Sequence, residues 1–567
     1  MRQCDLLVIG SGAGGLSAAV TAATLGLKVV VLEKEPVFGG TSAWSGGWMW
    51  IPCNPLALRA GIRESVDQPL NYLRDELGPR FNEKKIAAYL EAGPKMVSFF
   101  ESRTAVRFID GNKIPDFHPS SEFAGLGGRS VCAAPYDGRE LGPLIQRLRQ
   151  PLDEITLHGM AIASGRDLAH FFNAARSFRS ALYVGGRLLR FARDRLLHGR
   201  SMHLVNGNAL VARLLKSAHD LGVDLIAEAH VESLTQESGP GSRVTGARVS
   251  IDGRLEDIAA GRGVVMACGG YPHDVPRLRA TFPKTPTGHE HWSAAPPTNT
   301  GDGIRLAEAA GAHFDHTLKH PAAWAPVSLV HRRDGRLARF PHLVERAKPG
   351  VIAIMKNGRR FTNEADSYHD FIASLIAATP DGEPPQAWLI CDHAFQRRYG
   401  LGFSKPFPLP VRPHVKSGYL RCAASISQLA QDCGIDASGL ADTIATYNQG
   451  AARGEDPEFG KGNTPYNRVQ GDAAHTPNPC LAPIDRGPYY ALRLYPGSLG
   501  TFAGISTDEF GRAATADGEA VEGLYVVGND SASIMEGNYP AGGVTLGPAV
   551  TFGFIVGHHA AERSPSL

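Results

Sequence analysis

The 567-residue sequence has almost no excess of charge, no close cysteine pairs and no long apolar run. Its 58 Lys and Arg residues against 56 Asp and Glu residues leave a net charge of +2, which provides no basic footprint for nucleic acid. The eight cysteines lack the spacing of metal ligands or redox dithiols, so we expect reduced thiols, no metal and a cytoplasmic protein. No run reaches the ~18 apolar residues of a bilayer span, and the first residues do not resemble a cleavable signal. Stable membrane insertion is therefore not expected.

Glycine, by contrast, is abundant, with 65 residues, many of them in short motifs. The first motif, Gly10-Ser11-Gly12-Ala13-Gly14-Gly15, lies between an apolar run at 5–9 and a small-residue helix predicted from Leu16 to Gly26. A second apolar run at 28–32 ends at Glu33, where an acidic residue binds ribose in dinucleotide folds. This β-α-β pattern predicts a dinucleotide site with the pyrophosphate at the helix N-terminus.

Later glycine-rich segments favour FAD over NAD as the dinucleotide. They are Gly39-Gly40-Thr41-Ser42, Ser45-Gly46-Gly47 and the segments 264–270, 523–529 and 542–547. The last segment leads into a helix, whose N-terminal dipole would stabilise negative charge on a reduced flavin ring. Enzymes that bind NAD do not need these later glycine-rich segments.

The glycine motifs also indicate how the chain is divided. They lie in residues 1–319 and 499–567, whereas residues 320–498 carry proline-rich connections and few such glycines. The sequence therefore predicts an α/β fold: a discontinuous, Rossmann-like FAD-binding domain with a parallel sheet (1–319 and 499–567), and an inserted α+β catalytic or substrate domain (320–498).

The order of these motifs resembles the fumarate reductase and succinate dehydrogenase flavoprotein superfamily. Within it, the chain is most similar to the 3-ketosteroid dehydrogenases, particularly the Δ1 type, over nearly its whole length. The stretches that carry the resemblance are Trp44–Pro52, Gly358–Glu364, Gly487–Ala491, Pro496–Thr501, Tyr539–Gly543 and Gly547–Gly553. Together the motifs and the resemblance predict these FAD-binding residues: Gly10, Gly12, Ala13, Gly14, Gly15, Glu33, Lys34, Gly39, Gly40, Thr41, Ser42, Gly46, Gly47, Val231, Ala267, Gly269, Asp302, Asn529, Gly543, Thr545 and Leu546.

The resemblance implies removal of two hydrogens from carbons next to a ring ketone. A hydride leaves the carbon β to the carbonyl for flavin N5, and a proton leaves the α carbon for a base. By resemblance, Tyr539 and the backbone N–H of Gly543 donate to the ketone oxygen, and Tyr368 takes the proton. Because an unperturbed tyrosine has a pKa near ~10, Tyr368 would need help to act as a base at neutral pH.

One segment departs from the family pattern. The steroid enzymes carry an assisting tyrosine that aligns near Asp116-Phe117-His118-Pro119, and this chain has none there. His118 either relays the proton or only shapes the pocket. The departure leaves two substrates open: a 3-ketosteroid, or a smaller cyclic ketone of the cyclohexanone type.

Two further functions are alternatives. A fumarate-reductase-like enoate reductase would have arginine at the position of Tyr368, and the motif at 538–543 offers no arginine to hold a dicarboxylate. The second alternative is a flavin carrier that catalyses no reaction. No second nucleotide fingerprint stands out for NAD(P)H, so a quinone, another carrier or oxygen would reoxidise the flavin. The sequence does not fix whether the new double bond enters at C1–C2 or C4–C5.

Overall fold

A computed structural model of the protein describes residues 2–237 and 242–562. The strands are β1 (Arg2–Ile9), β2 (Val29–Leu32), β3 (Trp48–Trp50), β4 (Phe108–Asp110), β5 (Ser130–Ala133), β6 (Tyr136–Asp137), β7 (His203–Leu204), β8 (Asp224–Ile226), β9 (Ala229–Gln236), β10 (Val244–Ile251), β11 (Arg254–Met266), β12 (Phe314–Asp315), β13 (Ala322–His331), β14 (Leu337–Pro341), β15 (Val351–Ile354), β16 (Ala387–Asp392), β17 (Arg421–Ala423), β18 (Tyr489–Thr501), β19 (Gly504–Ile505), β20 (Arg512–Ala514) and β21 (Ala520–Val526).

The helices alternate with these strands along the chain. They are α1 (Ala13–Thr24), α2 (Pro55–Arg59), α3 (Asp67–Leu77), α4 (Glu83–Arg103), α5 (Arg166–Phe172), α6 (Phe178–His198), α7 (Asn206–Asp220), α8 (Val275–Thr281), α9 (Asp302–Ala309), α10 (Tyr368–Ala378), α11 (His393–Tyr399), α12 (Arg412–Lys416), α13 (Ile426–Cys433), α14 (Ala437–Ala451), α15 (Pro465–Gln470) and α16 (Leu546–Ala560). Short 3-10 turns lie at Gly40–Trp44, Gly78–Arg80, Gly138–Arg147, Asp153–Ile155, Glu345–Ala347 and Gly528–Asp530. None of the helices in the described ranges has both the length and the apolar content that a bilayer crossing requires.

The larger sheet has the strand order β20-β21-β11-β1-β2-β8, and β10 and β9 continue from β11. Strands β1, β2, β8, β11 and β21 pair in parallel, while β20, β10 and β9 pair antiparallel. The apolar run of β2 is buried on both faces, as is usual for parallel strands covered by helices. Parallel pairing brings the loops after β1, β2 and β11 to one edge, where ligands bind in such sheets. The predicted α/β fold with a parallel sheet is confirmed.

Helix α1, near the start of the chain, packs against the last helix, α16. It begins at Ala13, three residues before the predicted start, and ends at Thr24, because Gly26 takes a φ of +95° that no helix continues through. The C-terminal helix α16 packs along it: Ser17 Oγ donates to the carbonyl of Val550 at 2.6 Å. The first and last segments therefore form one packed unit.

A second sheet, with the order β14-β13-β18-β16-β15 and with β17 beside β18, is antiparallel and lies within residues 322–501. A buried ionic network supports it: Arg360 bonds Glu364 at 2.8 Å and Asp456 at 2.7 Å, and Lys461 lies 3.4 Å from Glu364. The strands of this sheet fall within or close to the predicted catalytic segment 320–498. The domain boundaries themselves stay a prediction.

Candidate active site

A cavity of about 1800 Å³ opens at the carboxyl edge of the larger sheet and extends past β14 and α5. Single-ligand pockets usually measure ~300–1,000 Å³, so this one has room for a dinucleotide and a second molecule together. Every residue predicted to bind FAD lines it except Gly39. Gly39 lies behind the wall, where its N–H donates to Ser11 Oγ at 2.9 Å.

Glycine is required where the first loop meets the strand β11. Gly10 has a φ of +107°, and a Cβ there would lie 2.1 Å from the carbonyl oxygen of Ala267. A Cβ on Gly15 would lie 2.2 Å from the carbonyl oxygen of Gly10. This tight packing sets the N-terminus of α1 at the cavity wall, where its free N–H groups can hold a pyrophosphate.

The acidic residue at the end of β2 is held firmly against the same loop. The carboxylate of Glu33 accepts hydrogen bonds from Ser11 Oγ at 2.5 Å and from the N–H of Glu35 at 3.1 Å. The neighbouring Lys34 pairs with Asp302 at 2.5 Å. Glu33 therefore presents a fixed carboxylate to the cavity, as a ribose-binding residue must.

A buried carboxylate that sequence reasoning missed supports the loop after β11. Asp530 accepts from the N–H of Cys268 at 2.5 Å and of Gly270 at 2.8 Å, and it is fully buried. The only sequence signal is its place directly after the predicted contact Asn529. It ties the glycine pair after β11 to the loop after β21, so two walls of the cofactor cradle are set relative to each other.

The two predicted catalytic tyrosines meet at the cavity wall. Tyr368 is the first residue of α10, whose N-cap Ser367 accepts from the N–H of Asp370. The hydroxyl of Tyr368 donates to the hydroxyl of Tyr539 at 2.8 Å. Since 171 residues separate the two in sequence, only the fold brings them together.

The electrostatics of this pair keep both hydroxyls protonated. Burial raises the pKa of Tyr368 well above its ordinary value, and the hydrogen bond to Tyr539 raises it further. Burial also raises the pKa of Tyr539. In its resting state the O–H of Tyr368 is used within the pair, and only the O–H of Tyr539 is left to donate to a ligand in the cavity.

The turn from Tyr539 to Gly543 is rigid. Pro540 accepts at its carbonyl from the N–H of Phe117 at 2.8 Å and from the hydroxyl of Tyr72 at 2.7 Å. Gly543 has a φ of +103°, and a Cβ there would lie 2.7 Å from the backbone nitrogen of Trp50. The N-terminus of α16 follows at once, so the hydroxyl of Tyr539 and the backbone of Gly543 lie together on the wall of the cavity.

His118 lies apart from these hydroxyls. Its Nδ1 is 2.5 Å from Glu76 of α3 and its Nε2 is 2.9 Å from Asp370 of α10, and it does not line the cavity. Burial alone would lower the pKa of His118, but the hydrogen bonds to Asp370 and Glu76 raise it to about 10. Both ring nitrogens are thus engaged in a charged clamp between two helices, and the proposed proton relay has no free nitrogen in this arrangement.

Phe117, the neighbour of His118, does reach the cavity. Its ring stacks on Tyr539 with centroids 5.9 Å apart and packs against Tyr466 at 4.4 Å. Tyr466, on α15, lines the cavity and was missed by sequence reasoning, which had no motif for that short helix. The segment that the resemblance aligns with an assisting tyrosine therefore contributes Phe117 to an aromatic cluster with Tyr466 and Tyr539.

A partly buried cation also lines the cavity near α15. The ammonium of Lys348 donates to the carbonyls of Gln470 at 2.6 Å and Gly471 at 2.7 Å, and it faces the ring of Phe172 at 5.9 Å. Burial lowers the pKa of Lys348. Within the described residues no carboxylate lies in salt-bridge range of this ammonium. Asp472 and Glu345 act on it from beyond that range and offset the effect of burial only in part, so the ammonium can still interact with an anion in the cavity.

Comparison with protein families matches residues 5–546 to the family described as FAD binding domain. Among curated proteins, the chain is 39% identical to 4-oxocyclohex-2-ene-1-carboxylate 5-dehydrogenase of Sinomonas cyclohexanicum, covering 99% of this chain and 94% of that protein. It is 33% identical to 3-oxosteroid 1-dehydrogenase of Mycobacterium tuberculosis (strain ATCC 25618 / H37Rv), covering 100% and 99%.

Among solved structures, the chain is similar to 3-ketosteroid delta1-dehydrogenase from Sterolibacterium denitrificans in complex with 1,4-androstadiene-3,17-dione. The TM-score is 0.91 at 35% identity, over 99% of this chain and 100% of that one. A flavocytochrome c3 fumarate reductase in an open conformation shares the fold at a TM-score of 0.64 and 20% identity, over 99% and 78%.

Proposed function

Because the chain belongs to the FAD binding domain family of flavoproteins, we propose that it is an FAD-dependent dehydrogenase that introduces a C=C bond next to the carbonyl of a ring ketone. The observation that carries this proposal is the pair of hydroxyls of Tyr368 and Tyr539, joined at 2.8 Å beside Gly543 on the wall of the cofactor cavity. The dehydrogenases named above, which match over nearly the full chain, support it.

FAD, when bound, supplies the acceptor for the hydride that leaves the β carbon. The residues of the chain do the rest. The hydroxyl of Tyr539 and the N–H of Gly543 hydrogen-bond the ketone oxygen, which stabilises the negative charge that develops on it as the α proton leaves. Tyr368 first loses its own hydroxyl proton, and its deprotonated oxygen then accepts the α proton. The aromatic cluster around Phe117 and Tyr466 keeps water from these atoms.

The test is anaerobic mixing of the holoenzyme with a panel of 3-ketosteroids and cyclohexanones, followed by the visible absorbance of the flavin. We expect at least one ring ketone to bleach it. If no ketone bleaches the flavin, and fumarate reoxidises the chemically reduced protein, the enzyme is an enoate reductase and the proposal is wrong. A protein that does neither would be a flavin carrier.

A second candidate substrate is a cyclohexanone that bears a carboxylate, and Lys348 favours it. Asp472 and Glu345 offset the burial of this cation only in part and neither lies in salt-bridge range, so a ligand anion would stabilise it further, and charge-assisted hydrogen bonds to such a group are strong. A relative that the chain matches at 39% identity is named for a ring carboxylate. A neutral 3-ketosteroid, the first candidate, gains nothing from this charge.

Lys348→Met separates the two substrates. If the carboxylate binds there, the KM of the variant for a cyclohexanone carboxylate should rise about tenfold or more. That is the loss expected for one charge-assisted hydrogen bond. The KM for a neutral ring ketone should be unchanged. Lys405→Met is the matched control, because Lys405 is also partly buried and bonded to a carbonyl but does not line the cavity. An equal change in KM for both ketones would exclude the carboxylate contact.

We also propose the finer assignments of domains, partner and location. The FAD-binding domain comprises 1–319 and 499–567, and the catalytic domain 320–498. A quinone or another carrier reoxidises the flavin. All eight cysteines lie in the described ranges as free thiols, which supports a reducing, cytoplasmic compartment.

A further inference from the structure

The two elements that carry the catalytic tyrosines are joined twice. The first link is direct, the hydrogen bond between the hydroxyls of Tyr368 and Tyr539 at 2.8 Å. This bond cannot stay unchanged through the proposed reaction, because Tyr368 loses its hydroxyl proton and Tyr539 donates its own to the ketone oxygen. A second link that does not involve the hydroxyls is therefore needed to keep the two elements in register.

The second link is made by two neighbouring residues, Phe117 and His118. The backbone N–H of Phe117 donates to the carbonyl of Pro540 at 2.8 Å, in the turn that carries the ketone-oxygen donors. The ring of His118 reaches the other element, since its Nε2 lies 2.9 Å from Oδ2 of Asp370 in the first turn of α10. These two residues therefore bridge the two catalytic elements.

The first turn of α10 transmits this contact to the base. The hydroxyl of the N-cap Ser367 accepts from the N–H of Asp370 at 3.1 Å and donates to its Oδ2 at 2.7 Å, which closes the start of the helix. His118 bonds the same carboxylate oxygen. Tyr368 lies between Ser367 and Asp370 in sequence, so its backbone is fixed by the atoms that His118 holds.

Helix α3 anchors this bridge on both sides. Glu76 lies 2.5 Å from Nδ1 of His118, and Tyr72, one helical turn earlier, donates from its hydroxyl to the carbonyl of Pro540 at 2.7 Å. Residues four apart share a face of a helix, so one face of α3 holds both contacts. The side chain of His118 is 26% exposed and does not line the cavity. The bridge therefore acts from outside the pocket.

We propose that His118 is a positioning residue for the reaction, which holds the first turn of α10, and with it Tyr368, at a fixed distance from the turn at 539–543. This inference rests on the function proposed above. A proton relay would need a ring nitrogen free to change partners, whereas both nitrogens of His118 are engaged with carboxylates. A displacement of ~1 Å in a catalytic group can cost about a hundredfold in rate, so such a bridge matters for the chemistry.

The experiment compares His118→Gln in two backgrounds, the wild type and Tyr368→Phe, by anaerobic single-turnover reduction of the flavin in the holoenzyme. In the wild-type background the rate should fall about tenfold to a hundredfold, because an amide carries no charge to hold two carboxylates. The ketone concentration at half saturation should change by less than about twofold. In the Tyr368→Phe background the same substitution should change the rate by less than about twofold, because the group that it positions is already absent.

Glu76→Gln separates positioning from proton relay, and it also carries the test if His118→Gln does not fold. This variant keeps the imidazole and its bond to Asp370 but weakens the anchor on α3, so positioning predicts a fall in rate of about threefold or more. A relay through His118 predicts no fall. The control is His559→Gln, because the ring of His559 bonds the hydroxyl of Tyr525 at 2.9 Å away from the cavity. It should leave the rate unchanged in both backgrounds.

The proposal is overturned if His118→Gln leaves the rate unchanged, lowers it equally in both backgrounds, or raises only the half-saturating ketone concentration. It is also overturned if Glu76→Gln is as fast as the wild type. If no ketone reduces the flavin of the wild type, the proposed function fails, and the bridge is measured instead by amide hydrogen exchange of residues 368–372. Exchange that is faster in His118→Gln than in His559→Gln supports the bridge, and equal exchange overturns it.

Discussion

At the scale of single residues, the proposed chemistry depends on one phenol oxygen. Tyr368 touches Tyr539 and lies at the start of a capped helix, so its hydroxyl is fixed in place. We expect Tyr368→Phe to lower kcat about 10³-fold, within the range attributed to a positioned general base, and to leave the flavin spectrum unchanged. The measurement is single-turnover flavin reduction by the best ketone. Tyr525→Phe is the control, because that buried tyrosine hydrogen-bonds His559 away from the cavity. Equal rates in both variants would remove Tyr368 from the mechanism.

The pKa of the same residue predicts the pH dependence. Burial raises the pKa of Tyr368 above its ordinary value near 10, and only the deprotonated phenol accepts the proton. Below that pKa the deprotonated fraction grows tenfold per pH unit, so kcat should rise with pH and show no plateau below about pH 10. The rate of flavin reduction, measured from pH 6 upward, checks this. A rate of flavin reduction that stops rising near neutral pH would instead identify a histidine as the base.

At the scale of the element, α10 is fastened to α3 by the His118 clamp, and this contact should make stability depend on pH. The pKa of His118 is raised from 6.5 to about 10 in the folded protein. The stabilisation that comes from this raised pKa is complete below the unfolded value of 6.5 and is lost as the pH rises through about 10. Between these two pH values the wild type should therefore lose more free energy of unfolding than His118→Gln. Urea unfolding at several pH values measures it, and parallel curves for the two proteins would contradict it.

Elements differ in how far the sequence predicts them. The β1-α1-β2 unit is predictable from its local pattern, since its tight turn and close packing need glycine at positions only a few residues apart, such as Gly10 and Gly15. The clamp is not, because His118 and Asp370 are 252 residues apart and no local pattern encodes their meeting. The cavity wall formed by α5 and α15 escapes sequence reasoning for the same reason: short helices without motifs acquire their place only through packing.

At the scale of the whole molecule, the predictions of a parallel sheet and of FAD as cofactor are confirmed, but the order of strands in the second sheet was not deducible. Strand β18 pairs with β13, β16 and β17, and these partners are spread over about 100 residues of the chain. Residue patterns decide which face of a strand is buried. They do not decide which distant strand lies beside it.

The contact between the two ends of the chain gives the last prediction. A Cβ on Gly553 of α16 would lie 2.4 Å from the carbonyl oxygen of Gly14 and 2.7 Å from Cβ of Ser17, so the two helices must separate. In an open helical position, replacing glycine by alanine stabilises a protein by roughly 0.5–1 kcal/mol. Gly186→Ala in α6, where a Cβ meets nothing, should show that gain. Gly553→Ala should have the opposite sign, lowering the free energy of unfolding by about 1–3 kcal/mol through overpacking and weakening FAD binding, because α1 and α16 both begin at the cofactor cradle. Denaturant unfolding and flavin release on dilution measure the two effects, and a stabilised Gly553→Ala would show that α1 and α16 do not pack as closely as this structure places them.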